Sequence, residues 1–314
     1  MLAIQERPKP EAGVGQIRVR VRASALNRAD LLQRAGDYPV PPGYPSDIAG
    51  MEYVGEVDAS GEGATLWNIG DRVMGIIGGG GHAEYLCVHE REAMPLPRSL
   101  SWEEAAAVPE AFLTAYDALV NRLDLQTGET LLIHAVGSGV GTAALQIARA
   151  MGARVVGTAR SADKLDRARQ LGLDIAINAS NSAWAEQVEA AIDGQRINAV
   201  LDLVGGSYLE GNLRVVALRG RIVIVGLTAG STAPLSMGTL LRKRVTIVGT
   251  VLRSRALEEK IRLARVFSER MIPLFENGRL RPIVDRVLSF DRIGDAHALM
   301  ESNATFGKIV LRWE

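Results

Sequence analysis

Apolar and polar residues follow two different patterns along this chain, and the change falls near Pro109. Up to that residue, short segments alternate between apolar and polar positions and are separated by turns rich in glycine or proline. Residues 17–22 (Ile-Arg-Val-Arg-Val-Arg) alternate most regularly, which is typical of a strand with one buried face. Further strands are predicted in residues 50–57, 70–74 and 85–88. The first third of the chain therefore predicts a mostly β domain.

Beyond Pro109 the pattern becomes a regular succession of strands and helices. A helix is predicted in residues 110–119, and strands follow in 130–134, 154–158, 176–178, 198–204, 221–225 and 245–248. Helices between them are predicted in 141–151, through Lys164 and Arg167, in 183–192 and in 208–218. Apolar strands that alternate with helices predict a parallel sheet covered on both faces. Six strands in this order suit an α/β doubly wound dinucleotide-binding domain, a Rossmann fold.

The last segment of the chain is more highly charged from about Arg255. It predicts a helix through Leu263 and Phe267 and a closing strand at 308–312. Because no linker-like tract precedes it, we expect this segment to return and complete the first domain. The predicted domains are 1–109 completed by 254–314, and 110–253.

Composition narrows the class of protein. The 314 residues exceed one typical domain, and 36 basic residues balance 36 acidic ones, so nothing in the charge favours a nucleic-acid or anionic-membrane partner. The single cysteine, Cys87, excludes an internal disulfide. No apolar run approaches the roughly 20 residues of a membrane span, and residues 1–10 lack the apolar core of a signal peptide. We expect a soluble, cytoplasmic protein.

The turn after the first strand of the second domain is a candidate phosphate-binding turn. It reads His134-Ala-Val-Gly-Ser-Gly-Val-Gly-Thr-Ala143, and only Gly141 matches the G-x-G-x-x-G frame. Small residues there would still let backbone N–H groups approach a pyrophosphate at the helix N-terminus. Glycines also serve ordinary tight turns, but the strand before this turn and the helix after it favour a cofactor site. The expected cofactor residues are Ser138, Gly139, Val140 and Gly141.

The end of the second strand indicates which dinucleotide is bound. NAD enzymes usually carry an acid there, bonded to the ribose 2′-hydroxyl, whereas this chain has Ala159. Arg160, Ser161 and Lys164 follow and could donate to a 2′-phosphate. Charges at a helix start are commonly only solvated, but the missing acid favours NADPH.

Two later turns should also line the cofactor. Val204 ends the fourth strand, and Gly226, Leu227 and Thr228 follow the fifth. Ligands of open α/β sheets gather at the carboxyl ends of the strands, so both turns are expected to contact NADPH.

Several motifs together resemble the medium-chain dehydrogenase/reductase superfamily. They are Asn27-Arg-Ala-Asp30, Gly50-Met-Glu-x-x-Gly-Glu-Val57, Gly70-Asp-Arg-Val73 and the Ser-Gly-Val-Gly turn. Segments 23–31, 109–116 and 252–255 resemble more closely the p53-inducible NADPH quinone oxidoreductase subfamily. The resemblance covers nearly the whole chain. It implies a GroES-like catalytic domain formed by both chain ends beside the Rossmann domain, and an N-terminal arm longer than the five residues before Glu6.

The same resemblance makes the missing metal ligands informative. Zinc alcohol dehydrogenases have a cysteine where Asn27 stands and a histidine where Met51 stands. They also carry a lobe of closely spaced cysteines, and here a short glycine loop connects Val73 to Tyr85. An amide and a thioether are poor substitutes for zinc ligands, so we expect a zinc-free enzyme with no other metal.

Without a metal, catalysis must rest on positioning an acceptor against the nicotinamide. Asn27 could hydrogen-bond the cofactor ribose or the acceptor carbonyl, and Asp30 could orient that loop. Tyr38 could stack on the acceptor or donate to its oxygen, although an aromatic residue packed in a proline turn is nearly as common. These three are the expected catalytic residues.

The remaining cofactor candidates lie outside the glycine turn. Thr114 could face the nicotinamide from the helix that enters the Rossmann domain. The resemblance implies that Val251, Leu252 and Arg253 wall the nicotinamide pocket. Lys308 could reach back to the cofactor, although a lone lysine near a turn is more often solvated.

The predicted function is NADPH-dependent reduction of a small-molecule quinone. Two alternatives remain open: reduction of activated C=C bonds in 2-alkenals or enones, and NADPH binding without catalysis. The resemblance also implies a homodimer that pairs through the strand at 245–248. No nucleic-acid or membrane partner is expected.

Overall fold

The computed structural model describes residues 2–313 and divides the chain into two units. One unit comprises Met1–Leu113 with Leu252–Glu314, and the other comprises Thr114–Val251. These boundaries lie within a few residues of the predicted ones. The prediction that both chain ends form one domain is confirmed.

The first unit is built on a mixed seven-stranded sheet. Its strands are β1 (Gln16–Ala25), β2 (Glu52–Ser60), β3 (Arg72–Ile76), β4 (Tyr85–His89), β5 (Met94–Pro95), β12 (Val284–Ser289) and β13 (Lys308–Arg312). They run in the order β12-β13-β1-β2-β3-β5, and β4 pairs with β1. The closing strand β13 pairs antiparallel with β1, Ala23 opposite Arg312, and parallel with β12.

The alternation that predicts β1 corresponds to its two faces. Ile17, Val19 and Val21 are at most 2% exposed and join one apolar core with Tyr53 of β2. The intervening arginines point away from that core, and Arg18 pairs with Asp58 at 2.7 Å. Period-2 patterning therefore identified this strand correctly.

Five helices in the described part of the chain also belong to this unit. They are α1 (Arg28–Ala35), α2 (Trp102–Ala106), α3 (Pro109–Tyr116), α9 (Leu257–Glu276) and α10 (Ile293–Glu301), and short 3-10 turns occupy Glu90–Glu92 and Phe290–Arg292. The boundary between the units falls within α3. Helix α1 lies in a region where only strands were predicted, although Asn27 and Asp30 form a capping box at its start. That spacing was the signal for the helix.

The second unit is a six-stranded parallel sheet. Its strands are β6 (Thr130–Ile133), β7 (Arg154–Ala159), β8 (Ile175–Asn178), β9 (Ile197–Asp202), β10 (Val216–Ile224) and β11 (Thr246–Gly249). Their order is β11-β10-β9-β6-β7-β8. Counted from the first strand of the unit, this is 6-5-4-1-2-3, the order of the dinucleotide-binding fold. The Rossmann prediction is confirmed.

Helices α4 (Gly139–Ala150), α5 (Ala162–Gln170), α6 (Trp184–Ala191), α7 (Tyr208–Val215) and α8 (Met237–Lys243) belong to this unit, as does a π-helix at Asp117–Arg122. Helix α7 stops three residues earlier than predicted. Val216 instead pairs with Ile197 of β9, and the register then shifts before Arg221. The helical spacing continues past Val215, but the sheet hydrogen bond at Val216 decides where the helix ends.

Within residues 2–313, each helix is either too short or too polar to cross a membrane.

Candidate active site

Asp30 holds the loop that carries Asn27. Its carboxylate is fully buried and accepts hydrogen bonds from the backbone N–H of Asn27 at 2.7 Å and of Gly50 at 3.2 Å. Burial raises the pKa of Asp30, and the Asn27 N–H opposes that rise. A Cβ at Gly50 would lie 2.3 Å from the backbone nitrogen of His82, so the turn against Asp30 accepts only glycine. The start of α1 and this turn are therefore fixed to each other.

Lys308 and Glu52 form a buried ion pair beside Asn27. The Lys308 Nζ donates to Glu52 Oε1 at 2.7 Å, to Asn27 Oδ1 at 2.6 Å and to the Leu26 carbonyl at 2.8 Å. Asn27 Nδ2 donates to the same Glu52 oxygen at 2.8 Å. Burial raises the pKa of Glu52, and the neighbouring Lys308 ammonium opposes it. The half-buried Asn27 amide is thus held in one orientation, with its oxygen toward Lys308 and its nitrogen toward Glu52.

Glu52 was not among the sequence candidates, although it is the glutamate of the Gly-Met-Glu motif. Its second oxygen accepts the backbone N–H of Glu110 at 2.8 Å, which joins the start of α3 to this cluster. A fully buried glutamate on a strand needs partners for both oxygens. The sequence alone does not show where those partners come from.

His82 lies next to Asp30. Its Nδ1 is 3.1 Å from Ser24 Oγ, and its Nε2 is 3.9 Å from Asp30 Oδ2. Since Ser24 donates its proton to the Glu52 carbonyl, it accepts from His82. Burial lowers the pKa of His82 to about 3, so the ring is neutral at physiological pH.

Tyr38 and Arg253 form a second group in the same unit. The guanidinium lies 4.7 Å from the Tyr38 ring centroid. It donates to the Gly78 carbonyl and to Gln33 Oε1, both at 2.6 Å, and to the Tyr38 carbonyl at 3.4 Å. Burial, followed by the charge of Glu110, raises the pKa of the half-buried Tyr38 phenol. Arg253 therefore fixes the loop that presents Tyr38.

In the second unit, the turn between β6 and α4 has the geometry of an anion cradle. Ser138 caps α4 by accepting the Gly141 N–H at 3.1 Å. The N–H groups of Gly139 and Val140, in the first turn of the helix, have no intrahelical acceptor available to them. A Cβ at Gly141 would lie 2.4 Å from the Ala135 carbonyl oxygen, so the helix can approach the preceding turn this closely only with glycine. Two N–H groups at a helix N-terminus that have no acceptor within the helix fit a pyrophosphate.

The end of β7 presents the predicted 2′-phosphate donors. Ser161 caps α5 by accepting the Lys164 N–H at 3.3 Å, and Arg160 is exposed beside it. Ala159 is buried and offers no carboxylate. Arg160 also acts electrostatically on the half-buried Tyr208, whose pKa is raised chiefly by burial. Tyr208, which was not among the candidates, therefore lies near this group.

A row of buried, hydrogen-bonded side chains connects β9, α7, β7 and the turn after β6. Asp202 accepts the N–H groups of Val204 and Gly205, each at 2.8 Å, and the side-chain amide of Asn212 at 2.8 Å. His134 completes the row, 2.7 Å from Asn212 Oδ1 and 2.9 Å from Thr158 Oγ1. It fixes the turn at Val204 relative to the ends of β6 and β7.

The structure therefore brings the predicted residues together in two groups. In the first unit, Asn27 touches Asp30 and Lys308, and Tyr38 touches Arg253. In the second, residues 138–141, 160–164, 204 and 226–228 all follow the carboxyl ends of the parallel strands. Leu252 is buried in the first unit, whereas Thr114 is buried and Val251 is 46% exposed in the second. The cofactor contacts of all these residues, in both groups, remain predictions.

Among the described residues, no group of three or more His, Cys, Asp or Glu side chains is arranged to bind a metal ion. At the two positions where zinc relatives carry ligands, this chain presents the Asn27 amide and the buried thioether of Met51.

Known proteins match both units. Residues 13–98 match the alcohol dehydrogenase GroES-like domain family, and residues 139–268 match the zinc-binding dehydrogenase family. A quinone oxidoreductase of Pseudomonas aeruginosa is 34% identical over 304 residues, which span 96% of this chain and 92% of that protein. The chain belongs to the medium-chain dehydrogenase/reductase family, in its quinone oxidoreductase-like branch. It is accordingly an oxidoreductase with a nicotinamide cofactor.

Solved structures agree with this assignment. One, described as an NAD-dependent alcohol dehydrogenase, superposes with a TM-score of 0.87 at 34% identity and covers 99% of this chain and 95% of that one. The CurK enoyl reductase superposes with a TM-score of 0.84 at 26% identity, covering 98% of this chain and 94% of that one.

Proposed function

We propose that this protein is an NADPH-dependent quinone reductase that works without a metal ion. The observation that carries the proposal is the Asn27 amide, held by Lys308 and Glu52 where a zinc enzyme has a cysteine. A neutral amide polarises a carbonyl far less than a metal cation does. The acceptor must then be electrophilic already, and a quinone is electrophilic, planar and apolar.

A bound dihydronicotinamide supplies a hydride, that is, two electrons and one hydrogen. The residues of the chain then have to bind the acceptor and the cofactor and orient them toward each other. Asn27 donates to the acceptor oxygen or the cofactor ribose, Asp30 holds the Asn27 loop, and the Tyr38 ring packs against the acceptor. Reduction of a quinone gives a stabilised phenolate, so these modest contacts suffice.

The acceptor class is tested by steady-state oxidation of NADPH with 1,4-quinones, 1,2-quinones and 2-alkenals in parallel. We expect turnover with quinones. Reduction of 2-alkenals alone would support the second candidate, an activated-alkene reductase, which the similarity to the CurK enoyl reductase favours. Tight NADPH binding with no turnover of any acceptor would support a non-catalytic role.

We further propose that the cofactor is NADPH rather than NADH. The support is the cationic group Arg160 and Lys164 with the Ser161 hydroxyl, together with the absence of an acid at Ala159. One similar structure is described as NAD-dependent. Binding of both nucleotides to this chain tests the preference.

Substituting alanine for Arg160 or Lys164 is expected to weaken NADPH binding about tenfold or more, because each removes a charge-assisted hydrogen bond to the 2′-phosphate. NADH binding should not change. Fluorescence titration with both nucleotides measures the difference. Arg169→Ala is the matched control, since that arginine lies on the same helix and is paired with Asp166. Equal losses for NADPH and NADH would contradict the assignment.

A second copy of the chain is the proposed partner. Strand β11 ends the six-stranded sheet order, and the neighbouring helix α8 exposes Met237 and Leu241, at 61% and 73%. Pairing of two β11 strands would extend the sheet across both copies. Light scattering distinguishes a homodimer from the 33.7 kDa monomer.

A further inference from the structure

Glu110 is a carboxyl group that no candidate role yet uses. It is the second residue of α3, and its backbone N–H is bound to Glu52 Oε2 at 2.8 Å. Its side chain is half-buried and, within residues 2–313, forms neither a hydrogen bond nor an ion pair. The backbone of Glu110 is thus held at the cluster of Asn27, Glu52 and Lys308, while its carboxyl oxygens remain available for a proton transfer.

The groups around Glu110 determine its protonation. Two acids act on it, Glu52 from β2 and Asp30 from α1, and two cations, Lys308 from β13 and Arg253 from the segment before α9. Tyr38, on the loop after α1, also interacts with the Glu110 charge, which raises the pKa of the Tyr38 phenol. Burial is the largest influence and the charge of Glu52 the next, and together they raise the pKa of Glu110 to about 8. The carboxyl is therefore mostly protonated at pH 7.

We propose that Glu110 supplies the proton that the reduced acceptor takes up. The proposal rests on the proposed reductase function and adds a named proton donor to it. The Glu110 O–H bond breaks and a bond from that hydrogen to the acceptor oxygen forms. Glu110 becomes a carboxylate and regains a proton from solvent. With the hydride from the cofactor, the acceptor gains two electrons and two hydrogens in total.

The neighbouring acids fit this task less well. Both oxygens of Asp30 accept backbone N–H groups, and both oxygens of Glu52 are bound to Lys308, Asn27 or Glu110. The Tyr38 phenol has a pKa raised above the ordinary value of 10, so it releases a proton less readily than Glu110. A proton donor works best when its pKa lies near the working pH.

The kinetic test is Glu110→Gln, which keeps size and removes the acidic proton. With a 2-alkenal, whose immediate product is a poorly stabilised enolate, kcat/KM at pH 7 should fall about 100-fold, within the usual range for general acid catalysis. With a quinone the fall should be about tenfold or less, because the phenolate needs no immediate proton. Wild-type kcat/KM should decline above about pH 8, and the variant should lose that decline. Glu110→Asp should restore part of the rate.

A second measurement needs neither cofactor nor acceptor. An acid whose pKa is raised on folding stabilises the protein below its unfolded pKa, and this stability is lost as pH rises through the folded pKa. The Tm of wild type should therefore fall relative to the Tm of Glu110→Gln as the pH rises from about 5 to about 8. Glu259→Gln, an exposed glutamate of the same unit, is the control and should follow wild type. A constant Tm difference would show that Glu110 has an ordinary pKa and would overturn the proposal.

The two tests separate the failure of this proposal from failure of the proposed function. If wild type reduces quinones or alkenals and Glu110→Gln keeps the same pH profile, the proton comes from elsewhere and only this inference is wrong. If no acceptor is reduced, the reductase function is wrong, and this proposal falls with it whatever the Tm measurement reports about the acid.

Discussion

Replacing Lys308 with methionine is expected to lower the free energy of unfolding by about 3–5 kcal/mol, the usual cost of breaking a buried ion pair by removing one partner. The side chains of Lys308 and Glu52 are no more than 5% exposed, and Lys308 Nζ lies 2.7 Å from Glu52 Oε1. Methionine fills similar volume but leaves the Glu52 carboxylate without its counter-ion. It also leaves the Leu26 carbonyl and Asn27 Oδ1 without this donor.

Urea unfolding of wild type and variant measures this loss. The double variant Glu52→Gln with Lys308→Met should recover part of it, because no buried charge then remains unpaired at this pair. Arg292→Gln is the control, since it breaks an exposed pair with Asp295 and should cost about 0–1 kcal/mol. If Lys308→Met cost no more than this control, the ammonium would be solvated rather than buried.

Gly141→Ala is expected to have the second largest effect, on stability and cofactor binding together. Its Cβ would lie 2.4 Å from the Ala135 carbonyl oxygen and 2.7 Å from that of Val136, and both are backbone atoms. Because neither can rotate away, the start of α4 must move away from the turn at Ala135 and Val136. We expect a loss of about 1–3 kcal/mol in unfolding free energy, typical of overpacking. Displacement of the first-turn N–H groups should weaken dinucleotide binding at least about tenfold.

The measurements are urea unfolding and fluorescence titration with NADPH. Gly238→Ala in α8 is the matched control, because its Cβ would meet only the flexible end of Arg242 at 3.3 Å. That variant should bind the nucleotide as wild type does. Unchanged binding by Gly141→Ala would show that the pyrophosphate does not sit at this turn.

The Rossmann domain was predictable because its information is local. Each strand from β6 to β11 is a short apolar run and each connection is a separate helix or turn, so periodicity alone gave their number and order. Boundaries were less predictable. The end of α7 depends on the pairing of Val216 with Ile197, which lies on another strand.

The candidate site in the first unit was only partly predictable. The motif at Asn27 and Asp30 identified two of its members, and the capping box also explains why α1 begins there. Glu52 and Glu110 gave no comparable signal, since a glutamate in a strand or at a helix start is common. What distinguishes both glutamates is burial together with the charged groups around them, and neither property is written in the neighbouring sequence.

The sequence by itself determined that this chain has a parallel dinucleotide-binding sheet, a β-rich domain closed by its own tail, and no ordinary zinc ligands at Asn27 and Met51. Only the tertiary structure decided what Lys308 does. A lone lysine near a turn is usually solvated, but the pairing of β13 with β1 places its ammonium beside Leu26, Asn27 and Glu52. Those partners are more than 250 residues away along the chain. No local pattern can encode a charge balance that forms only when the two chain ends meet in one sheet.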